Sequence, residues 1–167
     1  ELISQSTSGV LGNAISGCQN QSGPTISAEG RYVAFCSAAS NLVSGDTNGA
    51  VDVFLVDRER DTIERITNAF DGSETDDTST HASISADGNY VAFVSEATNL
   101  IEGGASGWQA YVYDVDADST EIVSVNNEGV HSNGSARNVA ISDDGRYVVI
   151  ESDATNLVAN DTNKVRD

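Results

Sequence analysis

Two blocks of sequence recur three times in a single register, and this repetition limits the fold more than any other property of the chain. The segment I-S-A-E-G-R-Y-V-A-F starts at Ile26, I-S-A-D-G-N-Y-V-A-F at Ile84 and I-S-D-D-G-R-Y-V-V-I at Ile141, in steps of 58 and 57 residues. A second block, A-S-N-L at Ala39 and A-T-N-L at Ala97 and Ala154, keeps the same steps. A period of this length belongs to an array in which one supersecondary unit stacks on copies of itself, because a lone unit leaves an apolar face in water.

Each repeat reads as four short strands, a to d. Strand a ends at the Ile-Ser pair, and an acidic residue with Gly (Glu29-Gly30, Asp87-Gly88, Asp144-Gly145) then makes a tight turn in which Gly supplies φ > 0. Strand b is expected over 32–37, 90–95 and 147–152, strand c over 52–57 and 110–114, and strand d over 62–67 and 120–125. These stretches are rich in β-branched and aromatic residues and are bounded by Gly, Asn, Asp and Ser. No stretch sustains a helical period, so the expected fold class is all-β. Four antiparallel strands per repeat describe a β-propeller blade. The expected boundaries are an orphan outer strand at 1–6, blade one at 24–67, blade two at 81–125 and a partial blade three at 137–167.

The S-A-D-G-x-Y-V-A-F core, the A-T-N-L block and the D-T-N-G-x-x-D loop resemble the WD40-like (PD40) repeats of TolB-type β-propellers. The resemblance covers nearly the whole chain and implies a scaffold, a binding module or a non-catalytic domain of an enzyme. Residues 1–4 match the strand d residues 64–67, and residues 161–167 match 46–52, which lead into strand c. The expected inventory is therefore an orphan d, two full blades and a third with only a and b, an incomplete ring. Open edges of this kind template pairing. Further blades, or other copies of the chain in a homo-oligomer or filament, are the expected partners; two copies would give a ring of roughly six blades.

Charge narrows the function classes. The chain has 26 acidic against 8 basic side chains, a formal charge of −18. Such a surface repels phosphate backbones, which excludes nucleic-acid binding as a primary role. No apolar run approaches the ~20 residues of a membrane helix. The 38% hydrophobic content suits a packed core.

The residues best placed for chemistry are Asp46, Asn48 and Asp52, and their counterparts Asp161, Asn163 and Asp167, in the pattern D-x-N-x-x-x-D. Oxygen ligands at alternating loop positions suit Ca²⁺. The same residues also suit turn capping, in which Asp and Asn bond their own backbone amides. Blade two reads Gly103-Gly104-Ala105-Ser106-Gly107-Trp108-Gln109 there, with no carboxylate.

Cys18 and Cys36 are the only cysteines, and Cys18 lies in a d-to-a connection longer than its counterparts (Ser4 to Ile26 against Thr67 to Ile84). They read as a disulfide pinning that loop to blade one in an oxidising compartment, or Cys36 reads as a small buried hydrophobe. The first reading places the chain outside the cell, on its surface or in a periplasm. His81 and His131 occupy non-equivalent connections and are expected to be exposed loop residues, with no nucleophile elbow beside them. Asp143-Asp144 belongs to the repeated turn and Asp76-Asp77 to a polar loop, so neither is taken as a catalytic pair. Trp108 is either a packing residue or an anchor for carbohydrate or protein. No catalytic residue is assigned. The expectation is a non-enzymatic secreted or cell-surface propeller module for protein binding or self-assembly, stiffened by calcium. The alternative is an accessory, substrate-gating propeller of a larger hydrolase or peptidase.

Overall fold

The computed structural model describes residues 2–17, 23–162 and 165–167. Strands β1 (Thr25–Ile26), β2 (Tyr32–Ser37), β3 (Asp52–Asp57) and β4 (Thr62–Arg65) form one antiparallel sheet in chain order. Strands β5 (Ser79–Ile84), β6 (Tyr90–Ser95), β7 (Gln109–Asp114) and β8 (Ser119–Ile122) form a second, and β9 (Ala136–Ile141) with β10 (Val148–Ser152) a third. Every assigned element among the described residues is a strand, and the ring is not closed, as the repeat implied.

The sequence of the two middle strands follows from stacking. Strands of one-sided sheets alternate apolar and polar, but β2, β3, β6 and β7 are buried along nearly their whole length because both faces are covered: β6 and β7 by blades one and three, β2 and β3 by blade two on one side and by Ile3, Leu42 and Val43 on the other. Alternate residues serve the two neighbours. Ala34, Cys36, Val53 and Leu55 of blade one meet Val91, Phe93, Tyr111 and Tyr113 of blade two. Ala92, Val94, Ala110 and Val112, on the other face of blade two, meet Ala136, Val139, Ile141, Val148 and Ile150 of blade three. Each interface thus sets a face of smaller side chains against a face of larger ones, which is how two flat sheets interlock without voids. The outer strands β4 and β8 alternate, as edges facing water do.

Four expectations change. Residues 2–4 form no strand; Ile3 instead packs on the free side of blade one with Phe35, Leu42 and Phe54. The backbone bonds made there are local, Gln5 N–H to the Ile3 carbonyl at 2.8 Å and Gly12 N–H to the Ser4 carbonyl at 3.0 Å, and do not form a ladder. Glu1 lies outside the described residues. The chain still follows the repeat at this point, because Gln5 bridges Leu11 as Asn68 bridges Glu74 and Val125 bridges His131. Tyr147 precedes β10 instead of opening it. The strands d are shorter than expected, ending at Arg65 and Ile122. His81, expected in an exposed loop, lies within β5 at φ 58°, half-buried, where the pairing of β5 with β6 shifts register between Thr80 and Ser83. A bulge tolerates that backbone where regular pairing does not.

Candidate functional site

The acidic loop of blade one folds into a hydrogen-bonded corner. Asp52 is fully buried; its Oδ1 accepts from Thr67 Oγ1 at 2.7 Å and Thr75 Oγ1 at 3.2 Å, and its Oδ2 from Asn48 Nδ2 at 3.2 Å. Asn48 Oδ1 accepts from the Ala50 N–H at 3.0 Å, an Asx turn. Blade two performs the same task with an amide. Gln109 Oε1 accepts from Ser124 Oγ at 2.6 Å, and its Nε2 donates to the carbonyls of Ser106 and Ser132 at 2.9 and 3.1 Å. The position that opens strand c is therefore a hub tying that strand to strand d and to the next connection.

A cation already stands beside the loop. Arg65 Nη1 lies 3.7 Å from Asp46 Oδ1 and 2.8 Å from Glu74 Oε1, with its side chain only 9% exposed. Glu74 also accepts from the Thr47 hydroxyl and from the N–H groups of Thr47 and Asn48, and the Thr47 hydroxyl first, then the Thr47 N–H, Arg65 and the Asn48 N–H, hold its carboxyl at about 2. Among the described residues Asp46 has no such donors. Burial, reinforced by the field of Asp52, pushes its carboxyl above the ordinary range against the pull of Arg65. Among the described residues no group of three or more His, Cys, Asp or Glu is arranged to hold a metal. In blade three, Asp161 Oδ1 is buried with no hydrogen-bond partner among the described residues, and Asn163 lies outside them. Asp167 exchanges backbone hydrogen bonds with Ser152 at 3.0 and 3.2 Å, the first rung of a strand c.

The Asn of the second repeated block has a use that sequence reasoning missed. Asn41, Asn99 and Asn156 each accept, through Oδ1, the N–H of Asn13, Asp76 and Asn133 at 2.9, 3.2 and 2.9 Å. Each also donates Nδ2 to the carbonyl of Leu11, Glu74 or His131 at 2.8, 3.0 and 2.9 Å. Asn13, Asp76 and Asn133 return a bond to the N–H of Ser40, Thr98 and Thr155. The connection entering each blade is clamped to that blade's own b–c loop. Asp76 is thus a structural ligand of the backbone, and the signal was present as an Asn or Asp at the same place in all three connections.

Cys36 is fully buried and disulfide-bonded; Cys18, the only other cysteine in the sequence, lies outside the described residues. Trp108 packs against the core between blades two and three and, through its carbonyl, accepts the Ala136 N–H at 2.8 Å. It shares a cleft of about 320 Å³ with His81 and Arg137. Burial lowers the pKa of His81 and favours the neutral ring, whose Nδ1 is 2.8 Å from Thr80 Oγ1. His131 bridges Val125 elsewhere and does not join this cleft.

The repeated Tyr and Gly also meet across blades. The Tyr32 ring lies on Gly88, and the Tyr90 ring on Gly145, so closely that a Cβ would fall 2.2 and 2.5 Å from the respective Cδ2 atoms. The turns link as well: the Ala28 N–H donates to the Ala86 carbonyl at 2.8 Å, and the Ala86 N–H to that of Asp143 at 2.9 Å. Tyr147, the third of the set, is 62% exposed.

No family model matches the chain, and no curated protein matches it. Its structure is similar to the β-propeller domain of the Trilobed protease from Pyrococcus furiosus, described as having an open velcro topology (16% identity, TM-score 0.50, 85% of this chain and 35% of that one). It is similar to Porphyromonas gingivalis dipeptidyl peptidase 4 (18% identity, TM-score 0.50, 82% and 23%). TolB from Acinetobacter baumannii matches at 16% identity and TM-score 0.47, over 84% of this chain and 27% of that one. The chain spans about a third or less of the length of these proteins. The likeness is one of fold: the stacked sheets are blades of an incomplete β-propeller.

Proposed function

We propose that the chain is a non-catalytic propeller module that works by binding protein, its partners being further β-blades. The observation that carries this reading is the apolar free face of blade three. Val149, 71% exposed, occupies the position at which Ala34 and Ala92 are sealed by the next blade, and Tyr147 is exposed beside it. Polar residues of the repeats are meanwhile engaged in turns, clamps and hubs. The disulfide at Cys36 supports a place outside a reducing compartment. Among the described residues no helix is long and apolar enough to cross a membrane. Light scattering over a rising concentration series should show association of the chain; a single monomeric mass throughout would overturn the reading. The peptidases among its structural neighbours support a second setting, a propeller accessory to a hydrolase, in which the same face would be covered by the rest of the enzyme.

Calcium stabilisation belongs to the same proposal. It is supported by the crowding of Asp46 with Asp52 and Glu74, which a cation would relieve, and by Asp161 Oδ1, which has no hydrogen-bond partner among the described residues. An ion at Asp46 competes with Arg65 and requires the Asn48 amide to turn over. Millimolar Ca²⁺ should raise the melting temperature relative to EDTA, since a ligand at about 100 times its dissociation constant adds ~2.7 kcal/mol to the folded state. Asp46→Ala should remove most of that rise if blade one carries it. Identical melting curves in Ca²⁺ and EDTA would assign these residues to turn capping alone.

A further inference from the structure

We propose that the free face of blade three binds the free face of blade one in a second copy of this chain, with Tyr147 seated on the Gly30 turn beside Ile26. The inference rests on the blade-binding reading above and names its partner. The template is an interface the molecule already builds twice. At each one a Tyr covers the Gly of the following a–b turn, the Tyr packs in one cluster with the following strand a isoleucine, and one turn donates an N–H to the next. Tyr32, Gly88 and Ile84 make the first; Tyr90, Gly145 and Ile141 make the second.

Both halves of a third such interface are present, and among the described residues the Tyr147 and Val149 side of blade three and the Ile26 side of blade one are exposed. On blade three, Tyr147 and Val149 are 62% and 71% exposed, and the Asp143 N–H, at the position from which Ala28 and Ala86 donate, has no acceptor among the described residues. On blade one, Ile26 is 58% exposed, although its counterparts Ile84 and Ile141 pack into the interblade clusters. The Ala28 carbonyl, whose counterparts on Ala86 and Asp143 accept, takes no hydrogen bond among the described residues. A Cβ on Gly30 would meet Arg58 Nη1 at 3.5 Å and Ile26 Cδ1 at 3.7 Å, and Arg58 Nη1 donates to the Gly30 carbonyl at 2.5 Å; among the described residues no aromatic ring lies here as one does over Gly88 and Gly145. Beside it runs a groove of about 360 Å³ lined by Ile3, Pro24, Thr25, Ile26, Val33 and Arg58. At the internal interface the counterparts Ala82, Ile84 and Val91 are covered by blade one residues including Ala34 and Leu55. Val149, in the place of Ala34, supplies a larger side chain for the open groove. The faces differ, so the contact is heterologous: each copy offers a head at blade three and a tail at blade one.

Two variants separate this contact from any other. Tyr147→Asp disables the head and Ile26→Asp the tail; both side chains are exposed, so each variant should retain the wild-type circular dichroism spectrum. Sedimentation velocity is run at 0.15 M salt or above, where the repulsion between two chains of −18 charge is screened. Each variant alone should associate about tenfold more weakly than wild type, or less still. An equimolar mixture should restore association but stop at particles of two chains, because one intact head meets one intact tail. Val149→Asp should behave as Tyr147→Asp does and stands in for it if that variant misfolds. A mixture that stays monomeric, or either variant associating as wild type does, overturns the proposed contact. If wild type associates while the variants have no effect, blade binding stands and only this interface fails. If wild type never associates, both readings fall.

Discussion

Replacing Phe93 with alanine should lower the unfolding free energy by about 3–5 kcal/mol, the cost of emptying a sealed aromatic site. Phe93 is 0% exposed, stacks on Tyr111 with ring centroids 5.6 Å apart, and lies in the core that joins blade two to blade one. The neighbouring sheets cannot collapse into the space, because their backbones are fixed by four-stranded pairing on each side. A domain of this kind has only about 5–15 kcal/mol of total stability, so the loss should be large in urea or thermal unfolding followed by circular dichroism. Phe70→Ala is the matched control. Its ring is 60% exposed, and removal should stay within about 0.5 kcal/mol. A Phe93→Ala loss below about 1 kcal/mol would mean that strand β6 does not present this residue to blade one.

The strands were legible because the residues that pack between blades are also the residues that repeat. Tyr32 to Ser37 and Tyr90 to Ser95 are strands with the bounds expected from sequence, since covered faces on both sides force an apolar run and the Gly turn before it fixes where that run begins. His81 was misplaced for the converse reason. A bulge inserts a residue without changing the composition around it, so a pattern of period two gives no sign of one. The acidic loop was legible only as charge. Whether its carboxylates face a metal or a protein cation depends on Arg65, which lies on another strand, and on Glu74 in the following connection. No local spacing records that meeting. The repeated Tyr and Gly were each explained separately, the first as the residue that opens strand b and the second as a turn requirement. Their contact spans two repeats, and a comparison of repeats with one another aligns these residues without ever setting them side by side.

That contact predicts an inequality between two glycines with the same backbone conformation. Gly30 and Gly88 have φ of 71° and 81°, so alanine at either position pays the left-handed penalty of ~1–2 kcal/mol. At Gly30 little else opposes the new methyl group, whose nearest neighbour would be the end of the Arg58 side chain. At Gly88 it would fall 2.2 Å from Tyr32 Cδ2 and 3.0 Å from Cγ, atoms near the base of the ring that cannot swing aside alone. The ring itself is held, with the Arg31 guanidinium 4.6 Å from its centroid and Arg31 in turn bonded to Asp57 at 3.0 and 2.6 Å. Gly88→Ala should therefore cost about 1–3 kcal/mol more than Gly30→Ala, the usual range for overpacking. In a double-mutant cycle Tyr32→Ala should recover that excess, because it removes the atoms that clash. Equal losses at the two glycines would show that the tyrosine does not bear on the turn of the next blade, and Tyr147 would then have no template for the surface it is inferred to meet.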